Sequence, residues 1–209
     1  FLKKFKILKA EKTKVLSEII QNRRTRKPSK FLPKSVPSFL IKELIDCARH
    51  APNHHRTEPA RFYLLNSSKI QEVGNLFGEV LAGDGSNPTL VEKGERKKRE
   101  WGEAPGLLIV TCHTDRESVL VQNRPAIIDE DYATTSCICQ NLCLLFEAEG
   151  LACKWSTGAV WEHPDFSETI QMKNPNCERV VALLFYGYSE QPLGQRSLSP
   201  LADHLISEY

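Results

Sequence analysis

Hydrophobic residues recur every three or four positions in three stretches of the first half of the chain, which predicts three amphipathic helices. A short apolar and aromatic run between the second and third helices predicts a β-strand. The helices are expected at 13–24, 38–50 and 68–83, and the strand at 61–65. Residues 83–102 are polar and charged, so we interpret them as a loop followed by a surface helix.

The second half of the chain contains the most apolar segments. Continuous apolar runs at 106–112 and 179–188 predict buried strands, and a shorter strand is expected at 152–158. Between them, 129–150 predicts one long helix with an acidic first turn and a C-terminal Gly150. Two apolar stripes run along this helix: Ala133, Cys137, Leu144 and Ala148 on one side, and Ile138, Leu142 and Leu145 on the other. Burial on both sides is typical of a central helix or of a helix at a dimer interface.

The irregular alternation of helices and strands favours an α+β fold, with a sheet covered by helices. A length of 209 residues fits one domain. We expect that domain at 15–209, after a basic N-terminal arm at 1–14. If the arm is what remains of a processed targeting segment, we expect the protein in an organelle.

Composition excludes several classes of function. The net charge of +2 argues against a nucleic-acid-binding protein, and no apolar run reaches the length of a membrane span. Seven cysteines without disulfide-like spacing indicate a reducing, cytoplasmic setting with buried thiols.

Short spacings of cysteine and histidine raise the question of a metal site. The stretch "CICQNLC" places its cysteines within the long predicted helix, on more than one face. His50 and His54 have ligand spacing only on a helix, and Pro52 lies between them. We therefore predict no metal site. Glycine-rich phosphate-binding motifs are absent too, so a bound nucleotide would be held in another way.

Two segments have the residues to bind an anionic, ring-containing ligand. "NRRTRK" groups guanidinium and hydroxyl side chains where the first helix ends, and Arg196 adds a cation from a later loop. These cations either bind a phosphate or only complement the helix dipole, and this segment alone favours neither. "KWSTGAVW" offers backbone N–H groups and an aromatic face, or is a simple turn with Trp155 in the core.

Three motifs occur in order: "RRTRK" after the first helix, "ARHAPNHHRTEPARF" after the second, and "EGLACKWSTGAV" after the long helix. Together with the apolar strands, this arrangement resembles the nitroreductase family of FMN-dependent oxidoreductases, especially its short members. The resemblance covers residues 15–200. It implies an α+β fold with a mostly antiparallel central sheet flanked by helices, and a homodimer with the long helix at the interface.

The resemblance also implies a mechanism and a site. NADH or NADPH reduces FMN, and reduced FMN then reduces a small organic acceptor such as a nitroaromatic or a quinone, in a ping-pong cycle. Chemistry rests with the flavin, so no catalytic side chain is expected. The implied FMN contacts are Arg23, Arg24, Thr25, Lys27, His50, His54, Trp155, Ser156, Thr157, Gly158 and Arg196. The nicotinamide nucleotide is expected near residues 145–150, and His55 has no implied role.

One departure from the family pattern keeps a second function open. Glu58-Pro59-Ala60 stands where the family often has Gln-Pro-Trp. This change motivates an alternative, a flavin-binding or flavin-handling protein without NAD(P)H-dependent turnover. A nucleic-acid-binding module, suggested by "GERKKRE", is a third reading that the near-neutral net charge disfavours.

Overall fold

The computed structural model describes residues 2–192, 194 and 196–198, leaving aside the side chains of 2–9. Seven α-helices and four β-strands follow one another in this part of the chain. In order they are α1 (Leu2–Asn22), α2 (Ser38–Ala48), β1 (Ala60–Leu64), α3 (Ser67–Ala82), α4 (Pro88–Gly102), β2 (Leu107–His113), α5 (Val119–Asn123), α6 (Ile127–Ala148), β3 (Ala152–Ser156), α7 (Phe166–Thr169) and β4 (Glu178–Gly187). Each predicted helix and strand is present. Helix α1 begins earlier than predicted and runs through the basic arm without a break at residue 14.

The four strands form one antiparallel sheet in the order β1-β2-β4-β3, which confirms the predicted α+β class. The two most apolar runs became the central strands, because only a strand covered on both faces buries every side chain. Leu108 of β2 faces Leu184 of β4 across this centre. Strands β1 and β3 therefore form the opposite edges of the sheet.

Helices cover both faces of the sheet, and each face has its own core. Along β2 the side chains alternate: Leu108 and Val110 pack with α2 and α6, whereas Leu107 and Ile109 pack with α3, α4 and α7. This alternation is the two-residue period of a pleated strand. The sheet is thus the middle layer of three.

Helices α3 and α4 pack unusually close together. A Cβ atom added to Gly74 would lie 2.5 Å from the backbone N of Gly102, and one added to Gly94 would lie 2.5 Å from the carbonyl O of Gly78. Glycine is needed at these contacts because any side chain would separate the helices. Helix α4, which carries most of the charge of 83–102, is consequently fixed against the body of the protein.

Only one of the two apolar sides of α6 is buried within the single chain. Ile138 and Leu142 lie in the core beside α2. On the other side, Ala133, Cys137 and Ala148 are exposed. The prediction of two buried sides thus requires a second surface to cover this stripe. Among the described residues, no helix is long and apolar enough to cross a membrane.

Candidate functional site

The segment that follows α1 runs along the open edge of the sheet. Thr25 forms a parallel bridge with Cys153 of β3, and the backbone N–H of Arg26 donates to the Cys153 carbonyl at 3.1 Å. Residues 23–27 therefore extend the sheet by one short, irregular strand. The segment "RRTRK" therefore lies beside the first residues of β3.

This edge borders a cavity of ≈ 710 Å³. Its walls come from two distant parts of the sequence: Arg23, Arg24, Thr25 and Arg26 on one side, and Gln191, Pro192, Gly194, Arg196 and Ser197 on the other. The structure thus brings the predicted phosphate-binding residues together. Besides Arg24, the guanidinium groups of Arg23, Arg26 and Arg196 line this one concave site. Such a concentration of positive charge is suited to an oxyanion.

Arg24 serves the end of helix α1 as well as the cavity. Its Nη1 donates to the carbonyls of Gln21 and of Arg23, the latter at 2.9 Å, and its Nε donates to the Gly194 carbonyl at 3.1 Å. One guanidinium thus satisfies carbonyls at the helix C-terminus and ties the late loop to it. The two readings of the basic segment therefore apply to different residues: Arg24 is engaged by carbonyls, and Arg23 and Arg196 remain available to a ligand.

Two buried polar atoms at this edge have no hydrogen-bond partner in the described part of the protein. One is Nε of Arg26, whose side chain is 14% exposed and whose Nη1 lies 3.9 Å from Glu147 Oε2. The other is Oγ of Ser156, a residue that is 4% exposed. Buried polar groups are nearly always satisfied in native proteins, so both atoms are candidate contacts for a ligand at this edge. Arg26 lines the cavity, whereas Ser156 lies further along β3.

The end of β3 and the two residues after it contain the aromatic side chain and the backbone N–H groups proposed to contact a ring. Trp155 is half-buried against the core on the α6 face, Thr157 is exposed, and Gly158 is half-buried in an extended conformation. Strand pairing ends at Ser156, opposite Leu183. In the described residues, the N–H groups of Thr157 and Gly158 donate no hydrogen bond. They are free to bind a polar ring edge.

The structure does not bring His50 and His54 to this cavity within one chain. His54 Nδ1 lies 2.7 Å from Glu130 Oε2, and Thr134 Oγ1 donates to the Pro52 carbonyl at 2.9 Å. These contacts hold the loop at 50–58, here called the histidine loop, on the N-terminal half of α6 next to β1. Strands β1 and β3 are three strand spacings apart, roughly 14 Å. The order of motifs along the chain carries no information on which edge of the sheet each one reaches.

The histidine loop and α6 together form the one group of potential metal ligands found among the described residues. Donor atoms of His54, His55 and Glu130 lie within 4.8 Å of one another. The two imidazole rings are stacked, however, with centroids 4.1 Å apart, and Arg124 Nη1 lies 3.3 Å from His55 Nε2. Nearly parallel rings do not direct their lone pairs at a common point, and a guanidinium repels a metal cation.

The departure at Glu58 lies in the same loop. Its carboxylate pairs with Arg49 Nη2 at 3.5 Å, and its backbone has a φ of 46°. Asp131 anchors the histidine loop and Glu147 lies beside Arg26, and neither of these contacts was expected from the sequence. Neither residue has a local sequence signal, because each is defined by a partner more than 70 positions away.

Taken together, the fold and the edge cavity define a class: an α+β protein whose antiparallel sheet has a cationic cavity along its open edge. Comparison with known proteins identifies the family. The profile of the nitroreductase family matches residues 20–188, and the chain belongs to that family. The expected family is thereby confirmed, and with it the class of enzyme, an oxidoreductase.

Individual relatives agree with this assignment. The Bacillus subtilis (strain 168) protein YfhC, whose name as an NAD(P)H nitroreductase is itself provisional, is 32% identical over 191 residues, covering 90% of this chain and 92% of its own. A nitroreductase-like family protein from Bacillus cereus has the same fold, with a TM-score of 0.74 and 24% identity over 93% of this chain and 95% of its own. An FMN-bound nitroreductase from Bacteroides fragilis NCTC 9343 has a TM-score of 0.68 and 18% identity, covering 88% and 95% of the two chains.

Proposed function

We propose that the protein is a homodimeric, FMN-dependent oxidoreductase that takes hydride from NADH or NADPH and reduces an organic acceptor such as a nitroaromatic or a quinone in a ping-pong cycle. The observation that carries the proposal is the edge cavity, where Arg23, Thr25 and Arg196 converge. Ser156, at the end of the adjoining strand β3, adds a buried hydroxyl that has no hydrogen-bond partner among the described residues. FMN, when bound, supplies the redox chemistry, accepting a hydride from the nicotinamide and passing electrons to the acceptor.

The chain's own residues then bind and orient the cofactor. Arg23 and Arg196 are assigned to the phosphate, with the Thr25 hydroxyl as an additional donor. Ser156 and the N–H groups of Thr157 and Gly158 are assigned to the polar edge of the ring. Arg26 or Lys27 would stabilise negative charge at the other end of the reduced ring. No side chain is needed as a proton donor, since solvent reaches the exposed edge.

Two separate features of the single chain support the proposed dimer. One side of α6 is an apolar stripe that the single chain does not cover. On α1, the side chains of Val15, Leu16 and Ile20 are each at least 50% exposed. In addition, the histidine loop lies at the opposite edge of the sheet from the cavity. A second copy packed on α6 would cover the stripe and bring its own histidine loop to the cavity. His50 and His54 are therefore proposed to act across the interface.

The test is the visible spectrum of the protein reconstituted with FMN, before and after anaerobic addition of NADH or NADPH. A flavin spectrum that bleaches, and recovers on adding a nitroaromatic or a quinone, supports the proposal. Bound flavin that bleaches only on photoreduction indicates the flavin-handling alternative. Arg196→Gln should weaken FMN binding roughly tenfold, whereas Arg116→Gln, an exposed arginine remote from the cavity, should leave it unchanged.

A further inference from the structure

A second cleft opens next to the edge cavity, and its walls are rich in cations. It measures ≈ 700 Å³ and lies between residues 27–33 and the C-terminal half of α4. We call it the α4 cleft. Its charged lining consists of Lys27, Arg96, Lys97 and Arg99 against Glu100 and Glu103. A concave site with an excess of one charge concentrates ligands of the opposite charge.

Internal ion pairs neutralise only part of this charge. Glu100 pairs with Lys97 on its own helix and lies 3.7 Å from Lys154 Nζ on β3. No carboxylate among the described residues pairs with Lys27, Arg96 or Arg99. The cleft therefore presents three cations without partners, two of them on the same face of α4, since residues three apart on a helix are neighbours.

Glu100, which lines the cleft, and its neighbour Lys154 on β3 add further evidence. Burial lowers the pKa of Lys154; the charge of Glu100 opposes this change, and the smaller effects of Lys97 and Lys27 add to it. The side chain of Glu100 is 9% exposed, and its Oε1, 3.7 Å from Lys154 Nζ, accepts no hydrogen bond from any described residue. An unsatisfied buried acceptor calls for a hydrogen-bond donor on whatever occupies the cleft.

We propose that the α4 cleft is an oxyanion subsite for a substrate of the flavin reaction. Arg96 and Arg99 bind a phosphate or carboxylate group, and Glu100 accepts a hydrogen bond from a hydroxyl or amide of the same molecule. The inference rests on the proposed function, because Lys27 joins the two sites: it lines the cleft and directly follows the segment assigned to FMN. The anion belongs either to the nicotinamide dinucleotide, through its phosphates, or to an acidic aromatic acceptor.

Three matched variants test the subsite. Arg96→Gln and Arg99→Gln each remove one cation of the cleft. Lys93→Gln removes an exposed cation of the same helix that does not line it. Calorimetric titrations use adenosine 2′,5′-bisphosphate as the probe for the dinucleotide phosphates and 4-nitrobenzoate as the probe for an acidic acceptor. Steady-state kcat/KM is measured separately for NADPH, 4-nitrobenzoate and uncharged nitrobenzene, because each value in a ping-pong cycle reports on its own half-reaction.

We expect both arginine variants to lose roughly tenfold in probe affinity and in kcat/KM, either for the donor or for the acceptor. The lysine variant should keep the values of the unaltered protein. A loss for NADPH and the bisphosphate assigns the cleft to the donor; a loss for 4-nitrobenzoate but not nitrobenzene assigns it to the acceptor. The subsite is refuted if all three variants behave alike in both arms, or if neither probe binds the unaltered protein. FMN retention is read first from visible absorbance. If the unaltered protein bound no FMN, the proposed function would be refuted. Titrations of the flavin-free protein with the two probes would still decide whether the α4 cleft binds an anion.

Discussion

Thr57 Oγ1 donates a hydrogen bond to Asp131 Oδ1 at 2.5 Å, which joins the histidine loop to helix α6. Asp131 is only 3% exposed, and its second oxygen accepts from Thr114 Oγ1 at 2.7 Å. One buried carboxylate thus ties together the loop, the turn after β2 and the helix proposed to form the dimer interface. The position of His54 relative to that interface depends on this contact.

Removing either hydroxyl should destabilise the protein, because the buried carboxylate would lose a donor without becoming exposed to water. We expect Thr57→Val and Thr114→Val each to lower the free energy of unfolding by about 1–3 kcal/mol, measured by urea denaturation of the flavin-free protein. Thr89→Val, at an exposed threonine of α4, is the control and should change it by less than about 0.5 kcal/mol. Equal effects at all three positions would contradict the role given to Asp131.

Ser156 should show opposite effects on stability and on FMN binding. Its buried hydroxyl has no hydrogen-bond partner among the described residues, so Ser156→Ala should leave the free energy of unfolding unchanged or raise it by up to about 1 kcal/mol. The same variant should bind FMN several-fold more weakly, as followed by quenching of flavin fluorescence. Lower stability with unchanged FMN affinity would mean that the hydroxyl is satisfied within the protein and does not contact the cofactor.

Much of the fold was predictable because its strongest signals are local. The run at 179–188 is apolar at nearly every position, and such a run is stable only in the middle of a covered sheet, where β4 lies. Helices α2 and α3 were recognisable from their apolar stripes, which face the two cores. The segment Arg23–Thr25 alone left two interpretations open, a phosphate site or a complement to the helix dipole, and only the order of the three motifs favoured the first.

Relationships between distant segments were not predictable. The charged run in α4 looks like a solvated face, and only the fold places Glu100 against Lys154 of β3 and turns Arg96 towards residues 27–33. Likewise, the bridge between Thr25 and Cys153 joins positions 128 apart and depends on the strand order. Such contacts join residues far apart in the chain and depend on the order of the strands. No local pattern in a single sequence reveals that order.

A charge on the uncovered stripe of α6 should prevent dimer formation. Cys137→Arg would place two arginines in an apolar contact, and like charges brought together cost several kcal/mol, so the dissociation constant of the dimer should rise at least 100-fold. Sedimentation equilibrium would measure this, and FMN affinity should fall in parallel because His50 and His54 lie away from the cavity of their own chain. Ser68→Arg, an exposed helical position on the opposite face of the sheet, is the control. An undissociated Cys137→Arg dimer would place the interface elsewhere.

Stability at alkaline pH should report on Tyr63, whose hydroxyl donates to Glu178 at 2.7 Å. Burial, together with the hydrogen bond to Glu178 and its negative charge, raises the pKa of Tyr63 to about 12. Because the folded-state pKa exceeds the unfolded value of about 10, the stabilisation is complete below that pH and is lost as pH rises towards 12.

The variant Tyr63→Phe should therefore be less stable than the unaltered protein by about 1 kcal/mol at pH 8, a modest value because the residue is partly exposed. The difference should narrow between pH 10 and 12, as followed by urea denaturation over that range. Thr111→Val removes another hydroxyl donor to Glu178 but keeps the phenol, so its deficit should stay constant over the same range. A constant gap for Tyr63→Phe as well would show that the phenol titrates alike in the folded and unfolded states.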